Sequence, residues 1–512
     1  MSLYKFDDIQ TLTSKWDEIS STVNAKRQQL KLAQTDEEIK DVQKIILTYI
    51  KDNGRILYGG YALHLLMLQK SPTDAIYTPE GQCTADIDVY SPDPRNDVRK
   101  ICNILVDNNF VDVKGNEAVH AETYSVRVNN RPFCDFSYIP FKIYNKLQPI
   151  TVDGIKVANP FFLMIDYMRM ITDPLLSFWR FDKDLKSFRR LVTLQQHFPI
   201  KVSTKKIFPS KVSSDVYTAT NVIYNFLLGK ETMVTVGDYA FNYFLKWSNV
   251  KMFNPITITY FEIISTDYVN DFNMLINELQ QNQQIGSFIT HKEFYPFFQF
   301  TGHSVEIYVN EKMICKLYSN SKRCIPFQDV KPIDFTHGTG TAGGADTIGG
   351  ADTTMRIGTF SIVMMQYMIN VVHFYTLNEK LKRSMQELIL GQLIEIRNLY
   401  FSQSKKSFLD NTIFKDFVID CVGTAVSAEQ IKKNLIKYRK ERKQPYVFTY
   451  MPEETRKNDD IVYSYPNVSG NEINNVKNLK LTKYEDEQHD EAEEEEQQAE
   501  DVGGENITEG GR

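Results

Sequence analysis

Three carboxylates are the side chains best placed to do chemistry in this 512-residue chain: Asp86 and Asp88 in Ala-Asp-Ile-Asp-Val-Tyr-Ser, and Asp135 in Phe-Cys-Asp-Phe-Ser-Tyr. On a β-strand, residues two apart face the same way, so Asp86 and Asp88 would project together about 6.5 Å apart along the chain. At that distance two ionised carboxylates repel by about 2.5 kcal/mol at an effective dielectric near 20. Hard divalent cations relieve such repulsion, and Mg²⁺ typically enters through one or two carboxylates plus substrate phosphates. The spacing can bracket a pair of ions about 3.5–4 Å apart, Mg²⁺ or Mn²⁺, so the chemistry suggested is metal-assisted transfer at phosphorus.

The elements that must position these groups follow from the pattern around them. Gly59 and Gly60 open the apolar run Tyr61-Ala62-Leu63-His64-Leu65-Leu66. Without a Cβ the chain can turn sharply there and bring backbone N–H groups to an anion at a helix N-terminus. Pro132 to Ile139 reads as a strand, the second arm of a hairpin that turns at Asn130 and Arg131. It carries Asp135 between bulky apolar residues, where an uncompensated acid is costly. A helix is expected over Asp97 to Asn109, and the spacing of Ile39, Val42, Ile45, Ile46 and Tyr49 predicts helices in residues 1–50 that lean on this region. Beyond Asn159-Pro160 the pattern turns helical, and Lys183, Lys186 and Arg190 fall near one face at i, i+3 and i+7. They are candidates for triphosphate or RNA backbone contact, beside the plainer reading of a solvated basic face.

The second half echoes the first in worn form. Val236-Gly237-Asp238-Tyr239-Ala240-Phe241 parallels Tyr58-Gly59-Gly60-Tyr61-Ala62-Leu63. Matching Ser91 with Ser265 sets Tyr260 at the place of Asp86 and Glu262 at that of Asp88. Matching Cys134 with Cys315 sets Lys316 at the place of Asp135. Such a copy could not hold two metals. The division expected is a helical segment 1–50, a catalytic domain 51–200 and a degenerate helical second domain 201–480. A glycine-rich loop at 337–354 and an acidic disordered tail at 481–512 complete it. A basic amphipathic helix over Gln430 to Lys443 offers Lys432, Lys433, Lys437, Arg439 and Lys440 to a phosphate backbone.

Composition bounds the class. Residues 485–512 hold thirteen acids and one Arg, so the net −6 hides a body of 58 basic and 52 acidic residues, +6 in sum. That balance permits nucleic-acid binding without demanding it. No apolar run reaches the roughly 20 residues that span a bilayer, so a soluble intracellular protein with no membrane partner is expected. The six scattered cysteines, without Cys-x-x-Cys spacing, argue against a zinc site or a disulfide framework.

With these motifs in place, the chain resembles the DNA polymerase β-type nucleotidyltransferase superfamily. Within it, all but the tail is similar to the poly(A) polymerase catalytic subunits of large nucleocytoplasmic DNA viruses, the mimivirus type above all. The resemblance implies an α+β fold, a nucleotidyltransferase domain of mixed sheet flanked by helices followed by a degenerate second one. It implies template-independent addition of AMP from ATP to RNA 3′ ends, with two divalent ions held by Asp86, Asp88 and Asp135, and Gly59 and Gly60 holding the nucleotide. Asp135 would touch the nucleophile-side ion alone. The family often has Ser at the second position of the diglycine, so Gly60 keeps backbone contacts and forgoes a hydroxyl. A homodimer, and a place in the host cytoplasm and virion, are implied as well. Competing readings are a nucleotidyltransferase with another acceptor and an RNA-binding protein that kept the fold without catalysis.

Overall fold

The computed structural model describes residues 5–30, 34–78, 85–118, 120, 122–173, 181–320, 323–333, 354–424, 426–441 and 448–455. The glycine-rich doublet, apart from Thr354, and the acidic tail therefore lie outside the described residues. The architecture is α+β, with two mixed sheets flanked by helices. Two compact units form. The first takes Met1–Tyr167, Leu185–Pro199 and the stretch that starts at Val426, and the second takes Met168–Asp184 and Ile200–Ala425.

The strands, in chain order, begin with β1 (Ile56–Tyr58), β2 (Ile87–Ser91), β3 (Val113–Glu117), β4 (Thr123–Val128), β5 (Arg131–Tyr138), β6 (Ile150–Val152) and β7 (Ile155–Val157). The second unit adds β8 (Met233–Val236), β9 (Phe261–Ser265), β10 (Ile289–Phe294), β11 (Ser304–Val309), β12 (Lys312–Ser319), β13 (Ile325–Val330), β14 (Met355–Gly358) and β15 (Cys421–Val422). β16 (Thr449–Tyr450) returns to the first sheet. The orders are β16-β3-β4-β5-β2-β1-β7-β6 and β10-β11-β12-β9-β8-β14-β13-β15.

Helices α1 (Phe6–Gln29), α2 (Asp36–Asp52), α3 (Gly59–Lys70), α4 (Pro94–Asp107), α5 (Pro160–Ile171) and α6 (Phe181–His197) accompany the first strands. Each has local cause. Thr35 and Glu38 form a capping box at the start of α2, satisfying donors the first turn leaves open. Asp93 caps α4, with Pro94 at its first position, where no N–H is needed. The β4–β5 hairpin turns on Asn129 and Asn130, both at positive φ, which a two-residue turn matched to strand twist requires.

α2 leans on the first sheet as expected, burying Ile39, Val42, Ile46, Tyr49 and Ile50. α1 departs from that expectation: of its residues with described side chains, all are exposed but Ser20, which is half-buried. α4 is pinned by the fully buried Asp97. That carboxylate accepts from Tyr49 Oη at 2.7 Å, from Arg55 Nε at 2.7 Å and Nη2 at 2.8 Å, and from Ser91 Oγ.

The second unit repeats this design. β8 feeds α7 (Gly237–Ser248), β8 and β9 pair antiparallel, and β9 and β12 pair parallel, as do β1, β2 and β5. Ser265 Oγ donates to Asp271 at the start of α8 (Tyr268–Gln281), the counterpart of Ser91 and Asp97. The β11–β12 hairpin turns on Asn310 and Glu311 at positive φ. It has an irregularity at Ile307/Tyr308, the same distance from Lys316 as the one at Val126/Arg127 is from Asp135. Helices α9 (Phe360–Thr376) and α10 (Lys380–Ser404) close the second core.

One expectation is overturned here. Cys324 and Cys421 form a disulfide, with Cα atoms 5.4 Å apart. Spacing arithmetic could not foresee it, because the partners are 97 residues apart and meet only when β15 pairs with β13. Cys102, Cys134 and Cys315 are free and buried, as small apolar residues are.

Candidate active site

The parallel pairing of β2 with β5 sets Asp88 directly opposite Asp135. Asp88 is half-buried on the strand, whereas Asp86 lies one residue before it and is exposed. The expectation that both stand on one strand is corrected to this extent: the pairing starts at Ile87, and Asp86 approaches from the loop. Asp88 nonetheless feels both of the other acids. Burial, then Asp135 and Asp86, push the Asp88 carboxyl well above the usual range, opposed by the Arg190 guanidinium.

β1 ends at this point and α3 begins. Gly59 sits at φ +70°, and a Cβ built on it would collide with the Asp88 carboxylate. Only a glycine lets the chain turn there with that carboxylate beneath it. A Cβ on Gly60 would lie 2.7 Å from Tyr77 Oη and 2.8 Å from Arg190 Nη2. Gly60 thus makes room for the arginine, whose Nη2 donates to Tyr77 Oη at 3.3 Å.

Of the basic residues singled out on α6, Arg190 is the one whose charge acts on the Asp88 carboxyl, and Lys186 is exposed. Lys183 lies on the helix with its side chain outside the described residues. On α11 (Ala428–Glu441), Lys433 and Lys437 are exposed. Lys432 is half-buried and donates to the Glu117 and Ala118 carbonyls at 3.3 and 3.0 Å. It ties α11 to the end of β3. The side chains of Arg439 and Lys440 are outside the described residues. Among the described residues, no group of three His, Cys, Asp or Glu is already gathered as a metal centre.

Five neighbours escaped the sequence reading. Tyr58 stacks on Tyr90 at 3.8 Å and hydrogen-bonds Ser137 Oγ at 2.7 Å. Tyr90 Oη donates to Asp166 at 2.7 Å, and Tyr167 Oη donates to the Gly59 carbonyl at 3.1 Å. Tyr77 completes the set. Asp166 had a legible signal, being an acid within the apolar run of α5; the tyrosines had none, since aromatic residues fill any core.

The corresponding place in the second unit is rebuilt. Glu262 pairs with Lys316 as Asp88 does with Asp135, and Gly237, at φ +65°, overlies Glu262 as Gly59 overlies Asp88. Lys316 is buried with its Nζ 3.0 Å from Glu306. Asn370 Nδ2 donates to Glu262 at 3.0 and 3.2 Å. A fixed ammonium stands where the first unit has an acid, so this network is closed by its own side chains.

Two family models match the chain: "Poly(A) polymerase catalytic subunit" over residues 44–177, and "APMV, Putative poly(A) polymerase, catalytic subunit, C-terminal" over residues 192–483. The chain is 28% identical to a protein of Acanthamoeba polyphaga mimivirus named "Putative poly(A) polymerase catalytic subunit", over 99% of this chain and 90% of that one. A protein of the same name from African swine fever virus (strain Badajoz 1971 Vero-adapted) is 30% identical over 35% of this chain and 37% of its own. The crystal structure of the Megavirus polyadenylate synthase superposes with a TM-score of 0.73 at 28% identity, covering 90% of this chain and 88% of that one. With one of these models spanning more than half of its length, the chain belongs to the poly(A) polymerase catalytic subunit family and carries that family's enzymatic activity.

Proposed function

We propose that the first unit performs the transfer, adding AMP from ATP to RNA 3′ ends without a template. The observation that supports it most is Asp88 facing Asp135 across parallel strands beneath the left-handed Gly59. The donor set fits a hard divalent ion: it is built of carboxylate oxygens, and Asp88 is raised by burial and then by repulsion from Asp135 and Asp86, which a cation would relieve. Asp86, Asp88 and Asp135 would hold two such ions, Mg²⁺ or Mn²⁺, the first two acids serving both and Asp135 the nucleophile side. When bound, the ions lower the pKa of the attacking 3′-hydroxyl and offset charge on the triphosphate and departing pyrophosphate.

The chain's own groups do the remaining work. Backbone N–H groups at Gly59 and Gly60, in the first turn of α3, would hold the triphosphate. Arg190, held by Tyr77, gives those phosphates a planar, permanently charged donor. Lys186, one turn earlier on α6, extends the positive path, with Lys183 on the same helix. Asp135 would accept the hydroxyl proton as the new bond forms. Lys433 and Lys437 offer exposed charge to the RNA backbone, and Arg439 and Lys440 follow them in the same basic run of sequence. The catalytic domain is assigned to 51–200 together with the stretch from Val426 that returns to its sheet, and the degenerate one to the remainder of 201–480; the working form is a homodimer acting in the host cytoplasm and carried in the virion.

Incubation of the purified protein with oligo(A), Mg²⁺ or Mn²⁺ and each of the four nucleotides separately tests the reading. A lengthening ladder with ATP is expected. Single additions, or transfer only to a non-RNA acceptor, would overturn it.

A further inference from the structure

Helix α1 presents Phe6, Ile9, Leu12, Trp16, Ile19 and Val23 at 40–77% exposure, and Leu30 follows at 55% just past its end. From Ile9 to Val23 these residues alternate three and four positions apart, which is the 3.5-residue period of a two-helix seam rather than scatter on a solvated surface. If each residue offers roughly 150 Å² in full, the stripe exposes on the order of 600 Å² per copy, as large as the biggest patch on an ordinary monomer. Two such stripes together reach the roughly 1,200 Å² at which specific interfaces begin.

The charges choose the occupant and its direction. The first turn of α1 holds Asp7 and Asp8, and the last holds Lys26 and Arg27. A second copy laid parallel would set like charges together at both ends, whereas an antiparallel copy sets each acidic end against a basic one and opposes the helix dipoles. We propose that α1 is a dimerisation helix that pairs antiparallel with α1 of a second copy. Trp16 then packs against Ile19 of the other helix and Leu12 against Val23. Lys26 meets Ile9, its stem lying along the seam and its ammonium reaching the rim. This inference rests on the homodimer in the reading above and names its surface; it is independent of the catalytic residues.

Sedimentation velocity on the full chain tests it, with the exposed substitutions Leu12→Glu/Trp16→Glu. The wild type is expected as a dimer at micromolar concentration and the variant as a monomer, with unchanged melting temperature and unchanged single-nucleotide addition to a short primer. A variant that stays dimeric overturns the α1 seam while leaving a homodimer standing, and a monomeric wild type at tens of micromolar overturns both. Asp7→Lys/Asp8→Lys is expected to weaken dimerisation at least tenfold. It should recover on mixing with Lys26→Asp/Arg27→Asp protein. No weakening would overturn the antiparallel direction.

Discussion

At the scale of single residues, the two units differ in what neutralises a buried carboxylate. Burial raises both: Asp88 has further acids beside it, Asp135 and Asp86, while Glu262, pushed up to about 7 from its ordinary 4.5, has Lys316 and Asn370 against it. A carboxyl raised on folding keeps its proton longer in the folded state. Glu262 therefore contributes no penalty below pH 4.5, costs stability as pH rises toward 7, and at most removes roughly 3 kcal/mol above that. Glu262→Gln should melt increasingly above the wild type between pH 5 and 7, read by thermal scans across that range; a constant difference would contradict the assignment. Gly59→Ala is expected to lower AMP incorporation by at least about 100-fold, because a Cβ there displaces the Asp88 carboxylate and small misplacements at a reacting centre are costly. Activity within a fewfold of wild type would contradict it. The diglycine and the three acids were legible because each defies its surroundings, a glycine before an apolar helix or an acid among aromatics. Tyr58, Tyr77 and Tyr167 were not, since only the fold reveals that their hydroxyls converge.

At the scale of elements, α4 holds β2 in place through Asp97, fully buried among Tyr49, Arg55 and Ser91. Removing one partner of a buried charged pair strands the other, at about 3–5 kcal/mol. Asp97→Ala should thus lower stability by about that amount in denaturant titration, with loss of activity following unfolding; a change under about 1 kcal/mol would show that the network is slack. Strands β2, β4 and β5 were readable from alternation, and the hairpin between the last two from turn chemistry, with its turn on Asn129-Asn130, one residue before the expected Asn130-Arg131. Other features were not, because they depend on partners distant in the chain. β16 pairs with β3, Lys432 caps carbonyls near β3, and the Cys324–Cys421 disulfide joins β13 to a two-residue strand. Short strands have no period to detect.

At the scale of the whole molecule, one topology is used twice, with the same antiparallel and parallel pairings and the same serine-to-aspartate link after the second strand of each set. The duplication was visible in the worn Gly-Asp-Tyr-Ala echo, and the strand register places Lys316 where the alignment had put it, opposite Glu262. What sequence could not give was the path of the chain, which leaves the first unit and returns to it after Val426. The central claim is that transfer belongs to Asp88 and Asp135, while Glu262 and Lys316 only hold their own unit together. The direct measurement is initial-rate AMP incorporation per folded molecule for Asp88→Asn/Asp135→Asn beside Glu262→Gln/Lys316→Met. The first pair should fall at least about 1,000-fold without loss of melting temperature, and the second should retain the wild-type rate; elongation surviving in the first pair, or lost in a folded second pair, would contradict the account.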